Sequence, residues 1–96
     1  MPKRVDQNQP LIVQALRSVG ASVQFLHTIG KGCPDLLVGF RGLNFVLEVK
    51  NPAQKPSDRR LTPDEERWHL TWSGQKAVVE TIDEALAAIG AQIKPQ

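Results

Sequence analysis

Asp35, Glu48 and Lys50 are the residues whose types and spacing could do chemistry. They lie in the stretch Gly32 to Lys50, GCPDLLVGFRGLNFVLEVK, which reads as two short strands joined by a tight turn. Side chains alternate along a strand, so Glu48 and Lys50 share one face while Val49 points to the other. If Arg41-Gly42 is a two-residue loop, with Phe40 opposite Leu43, Asp35 lies directly opposite Glu48, with Cβ atoms roughly 4.5–5.5 Å apart. If the loop is Gly42-Leu43, Asp35 opposes Lys50, and Glu48 becomes the diagonal neighbour at about 7–8 Å. Either register gathers two carboxylates and one ammonium on one face. A three-residue loop without a bulge would turn Asp35 to the wrong face.

Two carboxylates this close repel each other unless something neutralises them. A hard cation with oxygen ligands does that well; Mg²⁺ typically takes one or two carboxylates and keeps waters for a substrate phosphate. The adjacent lysine can orient a water, help deprotonate it, or offset charge on a phosphate. These are the parts needed for metal-assisted phosphodiester hydrolysis. The same residues also have a plainer reading. Asp35 after Pro34 could merely start a strand, and Glu48 and Lys50 could be a solvated strand pair.

The elements that must position them follow from pattern. Asp6-Gln7-Asn8-Gln9-Pro10 reads as a helix start, with Asn8 or Gln9 at the cap and proline in the first turn. Ile12, Val13, Leu16 and Val19 fall at helical spacing, and Gly20 is a natural stop. Ser22 to Leu26 alternates and reads as a strand. The runs LLVGF and FVLEV suggest strands covered on both faces. Residues 51–60 carry Lys55, Arg59, Arg60 and two prolines with almost no apolar side chains, and read as an exposed, mobile basic loop. Thr62-Pro63-Asp64-Glu65 is a capping box that opens a helix ending near Ser73-Gly74, with Trp68 and Trp72 one turn apart. Gln75 to Glu80 reads as a strand. Thr81-Ile82-Asp83-Glu84 reads as a second capping box, before a helix with the stripe Ala85, Leu86 and Ile89. The order α-β-β-β-α-β-α gives an α/β fold with a small mixed sheet flanked by helices. The 96 residues suit one domain, with tails expected to be loose at 1–7 and 91–96.

Formal charge is +2 and the pI about 9.0, compatible with a polyanionic partner. A single cysteine, Cys33, cannot form an internal disulfide, which favours a reducing compartment. No apolar run is long enough to span a bilayer, and the first ten residues lack the apolar core of a secretory signal. A cytoplasmic protein is expected.

The blocks GKGCPDLLVGF and FVLEVK, the Leu61-Thr62-Pro63 helix start and the tryptophan-bearing helix after it resemble the VRR-NUC domain of the PD-(D/E)xK nuclease superfamily, in its stand-alone bacteriophage or prophage form. They span about three quarters of the chain. The short D…ExK pattern alone is weak; the G-x-G-x-P-D-L-L block one hairpin earlier is far more specific. The resemblance implies a restriction-endonuclease-like core, with Asp35, Glu48 and the Val49 carbonyl binding Mg²⁺ and Lys50 as the catalytic lysine. Mn²⁺ should substitute, since it takes the same oxygen ligands. It also implies a homodimer that cuts branched DNA as a Holliday-junction resolvase does, in a bacterial host cell. Two positions depart from the pattern. Leu11 stands near the place where many relatives carry a first-helix glutamate, with only Gln9 and Gln14 polar nearby. Glu65 and Glu66 stand where relatives often have a glutamine. Gln9 and Glu65 are therefore candidates for an outer ring of the site.

Lys31, Lys55, Arg59 and Arg60 are candidate DNA contacts, and Lys3 and Arg4 weaker ones; each could equally be a solvated charge. His27 and His69 have no metal-ligand spacing. Cys33 reads as a small packed residue. Trp68 and Trp72 read as core or dimer interface more than as base-stacking surfaces. The competing functions are a non-catalytic DNA-binding module that keeps the nuclease fold, and an interaction subunit of a phage replication complex.

Overall fold

Loop chemistry sets the register of the central hairpin. In the computed structural model, which describes residues 6–91, Arg41 and Gly42 both have positive φ, 51° and 81°. That is the backbone of a two-residue type I′ turn, whose twist matches the flanking strands. Phe40 therefore faces Leu43, and the ladder runs back to Leu36 opposite Leu47. Of the two registers open to the sequence, the Arg41-Gly42 loop is the one adopted. One step beyond the ladder, Asp35 comes level with Glu48.

The elements run α1 (Gln9–Ser18), β1 (Ser22–Phe25), β2 (Leu36–Phe40), β3 (Leu43–Val49), α2 (Pro56–Arg59), α3 (Pro63–Thr71), β4 (Lys76–Val79) and α4 (Ile82–Ala88). The sheet order is β1-β2-β3-β4. The first three strands form an antiparallel meander, and β4 joins β3 in parallel, Glu48 beside Val78. The sheet is thus small and mixed, with helices around it.

Strand alternation divides the sheet into two unlike faces. One carries Leu36, Val38, Phe40, Phe45, Leu47, Val49 and Val79 against Ile12, Val13 and Leu16 of α1 and Ala85 and Ile89 of α4. Leu16, Leu36 and Leu47 are fully buried, and each contributes about 1.5–3 kcal/mol by leaving water. The other face carries Val46, Glu48 and Lys50, also buried. The expectation that β3 is covered on both faces holds from Phe45 to Val49.

Four expectations need correction. Residues 51–60 are exposed but contain the short helix α2, with Asp58 N donating to Lys55 O. Pro56 starts that turn, which its fixed φ favours. The second capping box is half-formed: Thr81 accepts from Glu84 N, but the Glu84 carboxylate takes Glu80 N rather than Thr81 N. Of the two readings of Trp68 and Trp72, core or dimer interface, the core is set aside: α3 buries only Glu65. Ala91, at the start of the expected C-terminal tail, packs on the core. Lys3 and Arg4 and the rest of both tails lie outside the described residues.

Gly32 has φ +80°, and a Cβ there would sit 2.3 Å from Asp64 O, the first turn of α3. Gly42 has φ +81° with nothing within 4 Å. Gly42→Ala should cost only backbone strain, of order 1–3 kcal/mol. Gly32→Ala should cost clearly more, because the backbone of α3 must also move. Urea unfolding of the two variants checks the order; equal losses would show that α3 does not rest on Gly32.

Candidate functional site

Asp35 stands just before β2. Its Oδ2 accepts a hydrogen bond from Val49 N at 2.7 Å. The side chain thereby binds the backbone of β3 between Glu48 and Lys50. Leu26 N donates to Asp35 O at 2.8 Å, which holds the backbone from the β1 side. Asp35 is 2% exposed, Glu48 0% and Lys50 7%. The structure thus brings together the three residues singled out by spacing.

Lys50 Nζ lies 2.8 Å from Glu65 Oε1 and 3.6 Å from Glu48 Oε2. Buried charges carry a large desolvation cost unless paired. The lysine provides that pairing for two carboxylates at once. Asp35, Glu48, Glu65 and Lys50 together still leave two formal negative charges in excess, which a divalent cation would offset.

Glu65 reaches the site from a capping box. Thr62 accepts from Glu65 N at 3.2 Å, and Glu65 Oε1 accepts from Thr62 N at 2.9 Å. The oxygen that caps α3 is also the one that binds Lys50. Glu65 is therefore engaged as a partner of the lysine; the sequence offered it as a cap and as a candidate for the outer ring of the site, but not as the partner of Lys50. The S/T-x-x-E signal was visible; the reach to Lys50 depends on how α3 crosses the sheet.

Asn8 is a second residue whose role the sequence did not show. It stands at the N-cap of α1 without a side-chain cap bond. Its Nδ2 instead donates to Lys50 O at 3.0 Å and Glu80 O at 2.9 Å, tying the start of α1 to the ends of β3 and β4. Gln9 follows, 1% exposed, and its Oε1 has no hydrogen-bond partner among the described residues. Gln9 lines an apolar groove of about 450 Å³ with Pro10, Val13, Arg17, Phe25 and His27. Neither Asp35 nor Glu48 lines that groove, which lies on the α1 side of the sheet. Leu11 is 59% exposed.

Lys31, Lys55 and Arg60 are exposed. Arg59 is half-buried, with Nη1 3.2 Å from Glu80 Oε2, so this candidate DNA contact already has an ionic partner. Among the described residues no group of three or more His, Cys, Asp or Glu side chains is arranged to hold a metal ion. The neighbouring carboxylates of Asp35 and Glu48 remain a fit for a hard divalent ion that keeps several waters. No helix among the described residues is long and apolar enough to cross a membrane.

No family model and no curated protein matches the chain. Among solved structures, one described as "VRR_NUC domain" is similar to it with a TM-score of 0.64 and 27% sequence identity. The likeness covers 85% of this chain and 89% of the other.

Replacing Glu65 by alanine leaves Lys50 buried without its nearest partner, a change that typically costs about 3–5 kcal/mol. Thr62→Ala removes only the cap, about 0.5–2 kcal/mol. Equilibrium urea unfolding should therefore rank Glu65→Ala well below Thr62→Ala. Equal losses would mean that the carboxylate serves the helix end alone.

Proposed function

We propose that the chain, similar over most of its length to a VRR_NUC domain, is a nuclease of that kind: a divalent-metal-dependent DNA endonuclease that hydrolyses phosphodiester bonds in branched DNA. The observation that carries this reading is the buried set of Asp35, Glu48 and Lys50 on one sheet face, with negative charge in excess. A purely structural strand pair has no need to bury two carboxylates beside each other.

Asp35 and Glu48 are the residues that would hold the cation, with the Val49 carbonyl as a further oxygen. A Mg²⁺ or Mn²⁺ ion bound there would polarise the scissile phosphate and make a water more acidic. The protein's own groups do the rest. Val49 N fixes the Asp35 carboxylate, so the side chain keeps one direction. Lys50, held by Glu65, presents N–H donors to the attacking water and to the phosphate oxygens where charge develops. Gln9 Oε1 is a neutral acceptor on α1, which carries no carboxylate, and it lines the groove on the α1 side of the sheet, away from Asp35 and Glu48.

Lys31, Lys55 and Arg60 would contact phosphates and make binding fall steeply with salt. Four-way junctions are the favoured substrate in this reading. A homodimer acts on them because two symmetric incisions need two sites. A phage or prophage origin and a cytoplasmic place of action go with it.

Purified protein should cut a labelled four-way junction with Mg²⁺ or Mn²⁺ and stop on addition of a chelator. Asp35→Ala, Glu48→Ala and Lys50→Ala should each lower the rate at least about 10²-fold while junction binding in gel shift persists. Salt-sensitive binding with no cutting by the wild type would make the domain a non-catalytic DNA-binding module. Absence of DNA affinity would leave it an interaction subunit.

A further inference from the structure

Helix α3 buries no apolar side chain, although it carries Trp68 and ends on Trp72 as its C-cap. Trp68 is half-buried and Trp72 is 47% exposed. Their rings stack nearly parallel, 14° apart in plane, with centroids at 4.8 Å. Glu65, Trp68 and Trp72 stand at i, i+3 and i+7, one stripe of the helix. The helical rise puts the tryptophans about 4.5 and 10.5 Å along the axis from Glu65, whose carboxylate holds Lys50. That is the span of roughly one to three stacked bases at about 3.4 Å each.

The surroundings of the pair suit a polyanion. Trp68 lines a groove of about 430 Å³ with Lys31, Asp64, Arg67 and Thr71. Lys31 and Arg67 are exposed. Arg67 touches Asp64 at 3.4 Å, both side chains well exposed; such a pair contributes little and leaves the guanidinium able to turn to a phosphate. Asp64 and the exposed Glu66 are the acidic groups nearby.

The rings are also held in place before any ligand arrives. A Cβ at Gly74 would lie 2.8 Å from Trp72 Nε1, so the indole lies close over a residue with no side chain. Lys76 Nζ donates to the carbonyls of His69 and Trp72 and pins the end of the helix.

We propose that the stacked Trp68–Trp72 pair, with Lys31 and Arg67 beside it, is a platform on which unpaired nucleobases next to the scissile phosphate stack. The inference rests on the nuclease reading and names the form of DNA its site takes: strands whose bases are splayed at a branch. Base–aromatic stacking tolerates any base, so the platform selects structure without reading sequence. A second copy of this chain is the competing occupant. An isologous contact there would bring Lys31 and Arg67 toward their own copies, and like charges oppose that contact.

Trp68 and Trp72 are the chain's only tryptophans, and it has no tyrosine, so intrinsic fluorescence reports the platform directly. Full-length protein in chelator is titrated with a splayed-arm DNA and with the same DNA made abasic at the unpaired positions. The expected result is saturable quenching by the intact DNA, weak quenching by the abasic one, and an affinity difference of roughly 5- to 150-fold. Trp72→Ala should remove the difference, and Trp72→Phe should restore most of it. Equal affinity for the two DNAs overturns the proposal, as does wild-type discrimination in Trp72→Ala. Loss of self-association in Trp72→Ala with DNA affinity intact overturns it in favour of a second copy. Metal-dependent cutting without quenching removes the platform and spares the nuclease reading. Base-dependent quenching without any cutting removes the nuclease reading and supports the platform. No DNA affinity removes both.

Discussion

One ammonium, Lys50 Nζ, stands between the carboxylates of Glu48 and Glu65, and much of the architecture serves to keep it there. Buried ions persist only when partners and geometry offset the loss of hydration. The meander supplies Glu48 and Lys50 two residues apart on one face. The tight Arg41-Gly42 turn sets the register that brings Asp35 level with them. Gly32 lets α3 come close enough for Glu65 to reach across. A change at any of these points disturbs the same cluster.

The two faces of the sheet divide the labour. The α1 and α4 side holds the apolar core and sets the strand positions. The α3 side carries the charges and has little apolar packing of its own. α3 is therefore held by a cap, an ion pair, a glycine contact and the Lys76 bonds to its last carbonyls. Such polar attachments set geometry well and leave the outer surface of the helix available. Capping and ion pairing meet in a single oxygen of Glu65, so helix formation and lysine placement are coupled.

Short-range chemistry was legible in the sequence; crossing geometry was not. Asp35, Glu48 and Lys50 could be placed on one face because strand alternation has a period of two and the turn permits few registers. The Thr62–Glu65 box was readable because N-capping is local. The reach of Glu65 to Lys50, of Asn8 to Lys50 O, and of Arg59 to Glu80 depends on how helices lie over the sheet, which no local pattern specifies. Trp68 and Trp72 misled because large aromatic rings at helical spacing usually mean burial, whereas here they lie outside the core. The helix at Pro56–Arg59 was hidden by its length: four residues give no periodicity.

The most direct measurement is paramagnetic broadening of backbone amide resonances by sub-stoichiometric Mn²⁺ in the full-length protein. A cation seated by Asp35 and Glu48 would erase the signals of Asp35 and of residues 48–50 first, with the core face far less affected, and Glu48→Ala would abolish the pattern. Broadening scattered over surface acids such as Asp58, Glu66 and Asp83, with residues 48–50 untouched, would contradict a cation site at the heart of this fold.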